Sequence, residues 1–206
     1  MAHDDMLLLI LSSPSGAGKT TLTHRLLTEF DKQLRFSVSH TTRQPRSNEV
    51  DGQDYHFTDH DAFRKAVSEG QFAEWAEVHG NLYGTSISEI DRASKAGTRV
   101  LLFDVDYQGA RQIKAKFPNA VGVFILPPSM DELRRRLDSR GTESEESFAR
   151  RFANSTEEIE HYTFFDYLVV NDKLQEALAQ LRGILHAESC RRQRMAPLAE
   201  RLLRPE

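Results

Sequence analysis

Short runs of apolar residues alternate along the chain with segments whose apolar residues recur at helical spacing. The apolar runs lie at residues 6–12, 99–104, 121–126 and 167–170. Continuous runs of this length are typical of strands that are buried on both faces of a parallel sheet. The helical patterns that follow them lie at residues 19–30, 108–117, 130–139 and 173–188. The alternation predicts βαβ units with right-handed crossovers, and therefore an α/β protein.

Residues 37–90 interrupt this alternation with turn-rich, polar sequence. Strand-like pieces remain at residues 54–57 and 72–78, and Thr58 followed by Asp61 predicts the N-cap of a helix between them. We therefore expect a small antiparallel insertion in this part of the chain.

A second interruption, residues 138–162, is almost entirely charged. Thr142 and Glu145 have the spacing of a capping box, which predicts the start of a helix. The apolar stripe of this helix is thin, so the pattern is compatible with a lid that moves, and equally with a static surface helix. The Arg-rich tail that begins at Ser189 predicts a helical or frayed end.

The overall composition excludes several classes of protein. A net charge of −4 over 206 residues argues against a dedicated nucleic-acid-binding protein. A single cysteine, Cys190, excludes internal disulfides and a Cys-rich zinc site. The longest apolar run, residues 6–11, is far shorter than the roughly 20 residues of a membrane span. The N-terminus is acidic where a signal peptide would be basic, so we expect a cytoplasmic protein without nucleic-acid or membrane partners.

The segment between the first predicted strand and helix resembles a phosphate-binding loop. The P-loop pattern is GxxxxGK[ST], and its first position holds Ser13 instead of glycine. Gly16 and Gly18 allow backbone N–H groups to converge on phosphate oxygens, Lys19 can reach the β- and γ-phosphates, and the Thr20 hydroxyl can ligate Mg²⁺. An ordinary Gly-rich turn is the alternative, but the strand–helix context favours a nucleoside triphosphate. The predicted ATP-binding set in this loop is Ser13, Pro14, Ser15, Gly16, Ala17, Gly18, Lys19, Thr20 and Thr21.

Two further groups of charged residues indicate phosphate chemistry. Asp104 ends a buried strand, as the carboxylate partner of a P-loop does, and Asp106 follows two residues later. Arg43 and Arg46 lie three residues apart in a turn that contains Pro45, and such a pair can form a forked anion site. A solvated basic loop is the alternative interpretation of the arginines.

Five segments together resemble the guanylate kinase family over about residues 7–188. They are FSVSHTTRQPR at residues 36–46, DYHF at 54–57, EWAEVHGNLYG at 74–84, DVDYQG at 104–109 and SRGTESEES at 139–147. The resemblance implies a P-loop nucleoside monophosphate kinase fold: a five-stranded parallel core sheet flanked by helices, a small mixed β/α GMP-binding insertion and a helical lid. The implied division is a core at residues 1–36, 91–137 and 163–188, the insertion at 37–90, the lid at 138–162 and a tail at 189–206.

The resemblance also implies roles for individual residues. The ligands of the GMP phosphate would be Ser39, Arg43, Arg46, Tyr55 and Tyr83. The guanine readers would be Glu74, Thr85 and Asp106, with Asp104 assigned to the GMP site as well. Arg136, Arg140 and Arg151 would contact the phosphates of ATP, and Asn171 and Asp172 would lie near adenine. The catalytic cations would be Lys19, Arg43, Arg136, Arg140 and Arg151.

The expected reaction is ATP plus GMP, and dGMP as well, to ADP plus GDP in purine nucleotide metabolism. Guanine presents N–H donors that carboxylates at Glu74 and Asp106 can accept. The acceptor phosphate is already ionised near neutral pH, so no general base is needed. Alternatives are a kinase of this fold with another acceptor, and a non-catalytic binding module. We expect ATP and GMP as partners, Mg²⁺ as cofactor, and a monomer or homodimer.

Overall fold

A computed structural model describes residues 5–31, 33–78, 80–138 and 145–204. Its strands are β1 (Leu7–Ser12), β2 (Leu34–Phe36), β3 (His40–Thr41), β4 (His56–Phe57), β5 (Phe72–Val78), β6 (Asn81–Ser86), β7 (Val100–Asp104), β8 (Val121–Leu126) and β9 (Tyr167–Val170). Its helices are α1 (Lys19–Glu29), α2 (His60–Ser68), α3 (Ile87–Lys95), α4 (Tyr107–Lys116), α5 (Met130–Asp138), α6 (Glu145–Glu160), α7 (Leu174–Ser189) and α8 (Arg192–Leu203). A short 3-10 helix, His161–Phe164, follows α6.

The central sheet has five parallel strands in the order β2-β7-β1-β8-β9. The predicted α/β fold is therefore confirmed, and each predicted apolar run is a strand of this sheet. The fifth strand, β2, is only three residues long and carries a polar residue, Arg35, so the apolar pattern did not mark it. No helix among the described residues is long and apolar enough to cross a membrane.

The side chains of β1 alternate between two hydrophobic clusters on opposite faces of the sheet. Leu7, Leu9 and Leu11 pack with residues of α1 and α7, whereas Leu8 and Ile10 pack with residues of α3 and α4. All five side chains are at most 4% exposed. Burial of a leucine or isoleucine side chain contributes about 1.5–3 kcal/mol, which explains why this strand has no polar alternation.

A second sheet, in the order β4-β3-β6-β5, forms most of the predicted insertion. β3 and β5 each pair with β6 in antiparallel, as predicted for the insertion, but β3 and β4 pair in parallel, so the sheet is mixed and the prediction was wrong for this pair. The connection between them, residues 42–55, is long enough to return the chain in the same direction, which a hairpin turn cannot do. The predicted N-cap of α2 was also wrong by one residue, because Asp59 and not Thr58 accepts the Ala62 N–H, at 2.7 Å.

The Arg-rich tail forms α8, whose attachment to the core depends on a buried ion pair. Arg194 donates to the carboxylate of Glu188 at 3.1 Å and to the Asn119 carbonyl at 3.0 Å. The Glu188 carboxylate also accepts the Tyr167 hydroxyl at 2.6 Å. Arg194 and Glu188 are 8% and 1% exposed, so removal of one charge leaves the other buried.

Replacement of Arg194 with alanine should therefore loosen α8 and lower the free energy of unfolding by about 2–4 kcal/mol. Arg192→Ala is the matched control, because Arg192 is exposed on the same helix. Chemical denaturation measures the loss, and limited proteolysis reports release of the tail. Equal stability of the two variants would show that the buried pair does not hold α8.

Candidate active site

The loop between β1 and α1 has the backbone conformation that a phosphate cradle requires. Gly16 and Gly18 have φ angles of +89° and +91°, in the left-handed region that favours glycine. A Cβ atom on Gly16 would lie 2.9 Å from Leu137 Cδ2, and one on Gly18 would collide with the amide of Asn171. Both positions are therefore restricted to glycine by backbone conformation and by close packing. The same loop contains Ser13, Pro14, Ser15 and Ala17, and the first turn of α1 contains Thr20 and Thr21.

Lys19, the first residue of α1, extends to the carboxyl end of the neighbouring strand β7. Its ammonium group forms an ion pair with the Asp104 carboxylate and donates to the Val105 carbonyl at 3.1 Å. The Thr23 hydroxyl donates to the same carboxylate at 3.4 Å. Asp104 therefore orients the lysine of the loop, in agreement with the expected position of a P-loop carboxylate.

A cleft of about 630 Å³ opens beside this ion pair. The predicted site residues that line it are Thr20, Ser39, Tyr55, Glu74, Tyr83, Asp104 and Asp106. Thr23, His24, Gln53 and Asp54 also line it and were not predicted. Three predicted residues of the GMP site, Arg43, Arg46 and Thr85, lie outside this lining. Residues of α1, of the second sheet and of the end of β7 therefore line one cavity together.

Glu74 is a buried carboxylate at the base of the cleft, with 5% of its surface exposed. It accepts the Thr85 N–H at 2.8 Å, and the Thr85 hydroxyl is 2.9 Å from that of Ser39. Burial raises the pKa of Glu74 from 4.5 to about 7; the bonds from Thr85 oppose the increase and Asp106 adds to it. Thr85 therefore positions both the Glu74 carboxylate and the Ser39 hydroxyl.

Helix α4 holds the strand that carries Glu74. Asp106 caps α4 by accepting the Gly109 N–H at 2.8 Å. One turn later, the Gln112 side chain accepts the Trp75 N–H at 3.1 Å and donates to the Trp75 carbonyl at 2.8 Å. A Cβ atom on Gly109 would lie 3.0 Å from Glu74 Oε2, so glycine allows α4 to approach the carboxylate.

Arg43 and Arg46 both contact Glu49, which the sequence did not single out. Arg43 Nη2 donates to the two Glu49 oxygens at 2.7 and 3.0 Å, and the Arg46 main-chain N–H donates at 2.8 Å. The hydrogen bond from Arg43 lowers the pKa of Glu49. The Arg43 guanidinium lies 5.5 Å from the ring centre of Tyr55, which lines the cleft. The predicted forked anion site therefore binds a carboxylate of its own chain in this structure.

Arg136 and Asn171 connect α5 to the phosphate loop. Arg136 donates to Glu132 at 2.7 Å and to the main-chain carbonyl of Asn171 at 3.0 Å. The Asn171 amide in turn donates to the Ala17 carbonyl at 2.8 Å, in a buried position. The side chain of Asn171 thus supports the loop, whereas Asp172, the other predicted adenine contact, is exposed.

The predicted lid contacts the loop through α6. Arg151 donates to the Ser15 hydroxyl at 3.2 Å, and the Ser15 N–H donates to Glu158 at 3.0 Å. Burial raises the pKa of Glu158. Glu158 is one of many glutamates in a charged segment, so the sequence did not indicate that it contacts the loop. Arg140 and Thr142 lie outside the described residues.

Comparisons with known proteins place this chain in one family. A family model described as guanylate kinase matches residues 5–188. The chain is 50% identical over 190 residues to a guanylate kinase from Myxococcus xanthus, with 92% of this chain and 90% of that protein covered. It is 48% identical over 200 residues to one from Dechloromonas aromatica, with 95% and 98% covered. The crystal structure of guanylate kinase from Anaplasma phagocytophilum is similar with a TM-score of 0.71 at 33% identity, over 93% of this chain and 90% of that one.

The raised pKa of Glu74 predicts that this carboxylate destabilises the fold above neutral pH. The unfolded chain loses this proton near pH 4.5 and the folded chain only near pH 7, so stability falls as the pH rises between these values. Glu74→Gln should therefore raise the free energy of unfolding by about 2–3 kcal/mol at pH 8, and by little at pH 4. Denaturant titrations at both pH values measure the difference. Glu77→Gln, an exposed change on the same strand, should give no such pH dependence.

Proposed function

The chain belongs to the guanylate kinase family, and we propose that it transfers the γ-phosphate of ATP to GMP by electrostatic clamping between two adjoining sites. It is a kinase, and its activity gives ADP and GDP. The observation that carries the proposed mechanism is the position of Asp104, which pairs with Lys19 of the loop and also lines the polar cleft. ATP on the loop and GMP in the cleft would then meet at the end of β7.

On the ATP side, the loop supplies positive charge and backbone donors. The N–H groups of Gly16 and Gly18 have no hydrogen-bond partner among the described residues, so they are available to phosphate oxygens. The N-terminus of α1 adds the positive end of its dipole. Lys19 is held beside this terminus by Asp104 and Val105, within reach of the β- and γ-phosphates.

The oxygen donors at this point fit Mg²⁺. Thr20 is exposed in the first turn of α1 and offers a hydroxyl, and the Asp104 carboxylate lines the same cleft. Hard oxygen ligands of this kind suit Mg²⁺, which usually binds through one or two protein groups and the substrate phosphates. When bound, the ion would be held by these oxygen donors and would reduce the charge repulsion between the two substrates.

On the GMP side, Glu74 would accept the N1–H and N2–H donors of guanine, with Asp106 in the same cleft. The hydroxyl of Ser39, which lines the cleft, can donate to O6, whereas Thr85 lies outside the lining and would act by supporting Ser39 and Glu74. Adenine presents an acceptor at N1, which would face a carboxylate lone pair, so this site discriminates against AMP. Because Glu74 ionises near pH 7 in the free protein, the accepting form increases as the pH rises through neutrality.

The GMP phosphate would bind at the turn that follows β3. Arg43 and Arg46 are already arranged around the Glu49 carboxylate, and a phosphate would compete with that carboxylate for Arg43. Tyr55 and Tyr83 have their ring centres 6.1 Å apart in the lining of the cleft, and their hydroxyls can donate to the phosphate.

The chemistry requires charge neutralisation more than proton transfer. The attacking phosphate oxygen is ionised, so none of the residues needs to act as a general base, and repulsion between two polyanions is the main barrier. The cations that we assign to this task are Lys19, Arg43, Arg136, Arg140 and Arg151. A sugar-phosphate acceptor would not need Glu74, and a non-catalytic module would not need Lys19 and Thr20.

The same proposal includes the organisation of the chain. Residues 37–90 would bind GMP, residues 138–162 would act as the lid, and the remaining core would bind ATP. We further propose a cytoplasmic enzyme that works as a monomer or homodimer.

Replacement of Lys19 with alanine should lower kcat by at least about a hundredfold, because the charge beside the transferred phosphate is lost. A coupled assay of ADP formation measures the effect, and circular dichroism verifies the fold. Arg25→Ala, an exposed change on the same helix, is the control. Near-normal turnover by folded Lys19→Ala would disprove the assignment of the phosphate loop.

A second pair of variants should separate recognition of the base from recognition of the phosphate. Glu74→Gln should reduce kcat/KM for GMP by the equivalent of about 2–4 kcal/mol, because an amide N–H₂ then faces the donors of guanine. The same change should leave kcat/KM for AMP unchanged or slightly higher. Arg43→Met should weaken both monophosphates by a similar factor, because it contacts no base edge.

The coupled assay, run with GMP and with AMP, gives kcat/KM of each variant for both substrates. An equal loss for the two substrates in Glu74→Gln would mean that Glu74 is structural, and guanine selectivity would then rest on Asp106, Ser39 and Thr85. Glu77→Gln serves as the control for the loss of a negative charge on β5.

A further inference from the structure

One face of α6 contacts all three polar groups of a single residue of the phosphate loop, Ser15. Arg151 donates to its hydroxyl at 3.2 Å, and the hydroxyl of Ser155 donates to its carbonyl at 3.3 Å. Its N–H donates to Glu158 Oε2 at 3.0 Å. The N–H, carbonyl and hydroxyl of one loop residue are therefore all bonded to the same helix.

The spacing of these contacts follows from helix geometry. Arg151, Ser155 and Glu158 lie at positions i, i+4 and i+7, which share one face of a helix. Ser155 is 0% exposed, and its neighbours Thr156 and Glu157 are exposed, so this face is packed against the loop. These three bonds thus attach the C-terminal half of α6 to the phosphate loop.

The bond to Glu158 is the shortest of the three, at 3.0 Å, and its acceptor is a carboxylate. The bond uses the N–H of Ser15, and the Ala17 N–H donates to the Pro14 carbonyl at 3.2 Å. These two bonds fix alternate peptide groups of the loop. The peptide groups of Gly16 and Gly18 lie next to them, and their N–H groups are the ones that we assign to phosphate.

We propose that Glu158 is a positioning residue for ATP: it fixes the Ser15 peptide, and with it the loop and the reach of Arg151. This inference depends on the assignment of ATP to the loop in the proposed function. It assigns Glu158 no contact with substrate. A competing role, in which the carboxylate occupies the cradle in place of phosphate, predicts the opposite sign, because removal of Glu158 would then strengthen ATP binding.

The test is binding of a non-hydrolysable β,γ-imido analogue of ATP with Mg²⁺, measured by calorimetry on the full chain. Glu158→Ala should raise the Kd of the analogue about tenfold, since a hydrogen bond to a charged group is lost. Glu158→Gln keeps a hydrogen-bond acceptor, so its Kd for the analogue should lie between the values of the parent protein and of Glu158→Ala. Glu157→Gln, the exposed neighbour, should match the parent. The Kd of GMP alone should change less than twofold in every variant.

Hydrogen exchange gives a second readout that does not depend on binding. Without nucleotide, the peptide that contains Ser15 should exchange faster in Glu158→Ala than in Glu157→Gln, because the amide loses its acceptor. If the alanine variant does not fold, Glu158→Gln, which keeps a neutral and therefore weaker acceptor, should show a smaller increase in exchange in the same direction.

Three results would overturn the proposal. Tighter binding of the analogue by Glu158→Ala would show that the carboxylate competes with phosphate. Binding equal to that of Glu157→Gln would show that Glu158 only packs against the loop, provided that Lys19→Ala does weaken the analogue. If neither Lys19→Ala nor Glu158→Ala weakened it, the assignment of ATP to the loop would fail and this proposal with it.

Discussion

The ion pair between Lys19 and Asp104 is the contact on which the arrangement of the site depends. β1 and β7 are neighbouring parallel strands, and their register places Asp104 opposite Leu11, close to the start of the loop. The first residue of α1 therefore reaches Asp104 directly. Because Asp104 also lines the cleft, a single carboxylate adjoins both the loop that we assign to ATP and the cleft that we assign to GMP. Under this assignment, the relative position of the two substrates would be set by the register of β1 and β7, which burial of both strands specifies strongly.

Stability and recognition conflict at Glu74. The carboxylate that we assign to guanine is buried, and this desolvation raises its pKa to about 7. The N–H and hydroxyl of Thr85 offset part of this cost, and α4 holds the strand in place through Gln112. The site therefore retains a residue that weakens the fold on its own, and its neighbours limit the loss.

Local patterns in the sequence were sufficient to predict the elements that depend on burial and backbone conformation within a short segment. The apolar run at β1 and the glycines of the loop predicted a strand of the sheet and a tight loop after it, because burial on two faces and positive φ angles each leave a distinct residue pattern. The contacts of Glu49 and Glu158 could not be predicted in this way. Each glutamate lies in a polar segment, and only the tertiary fold brings Glu158 to Ser15, across 143 positions of the chain. The parallel pairing of β3 and β4 was missed for the same reason, since two-residue strands carry no alternation that indicates direction.

The bidentate contact between Gln112 and Trp75 has a consequence for association between molecules. β5 is an edge strand of the second sheet, and the main chain of an edge strand can pair with a strand of another molecule. The Gln112 carboxamide occupies both the N–H and the carbonyl of Trp75, as a neighbouring strand would. The residue after Glu74 is therefore closed to intermolecular pairing. The helix that holds the strand that we assign to guanine thus also blocks one point on the exposed edge of that strand.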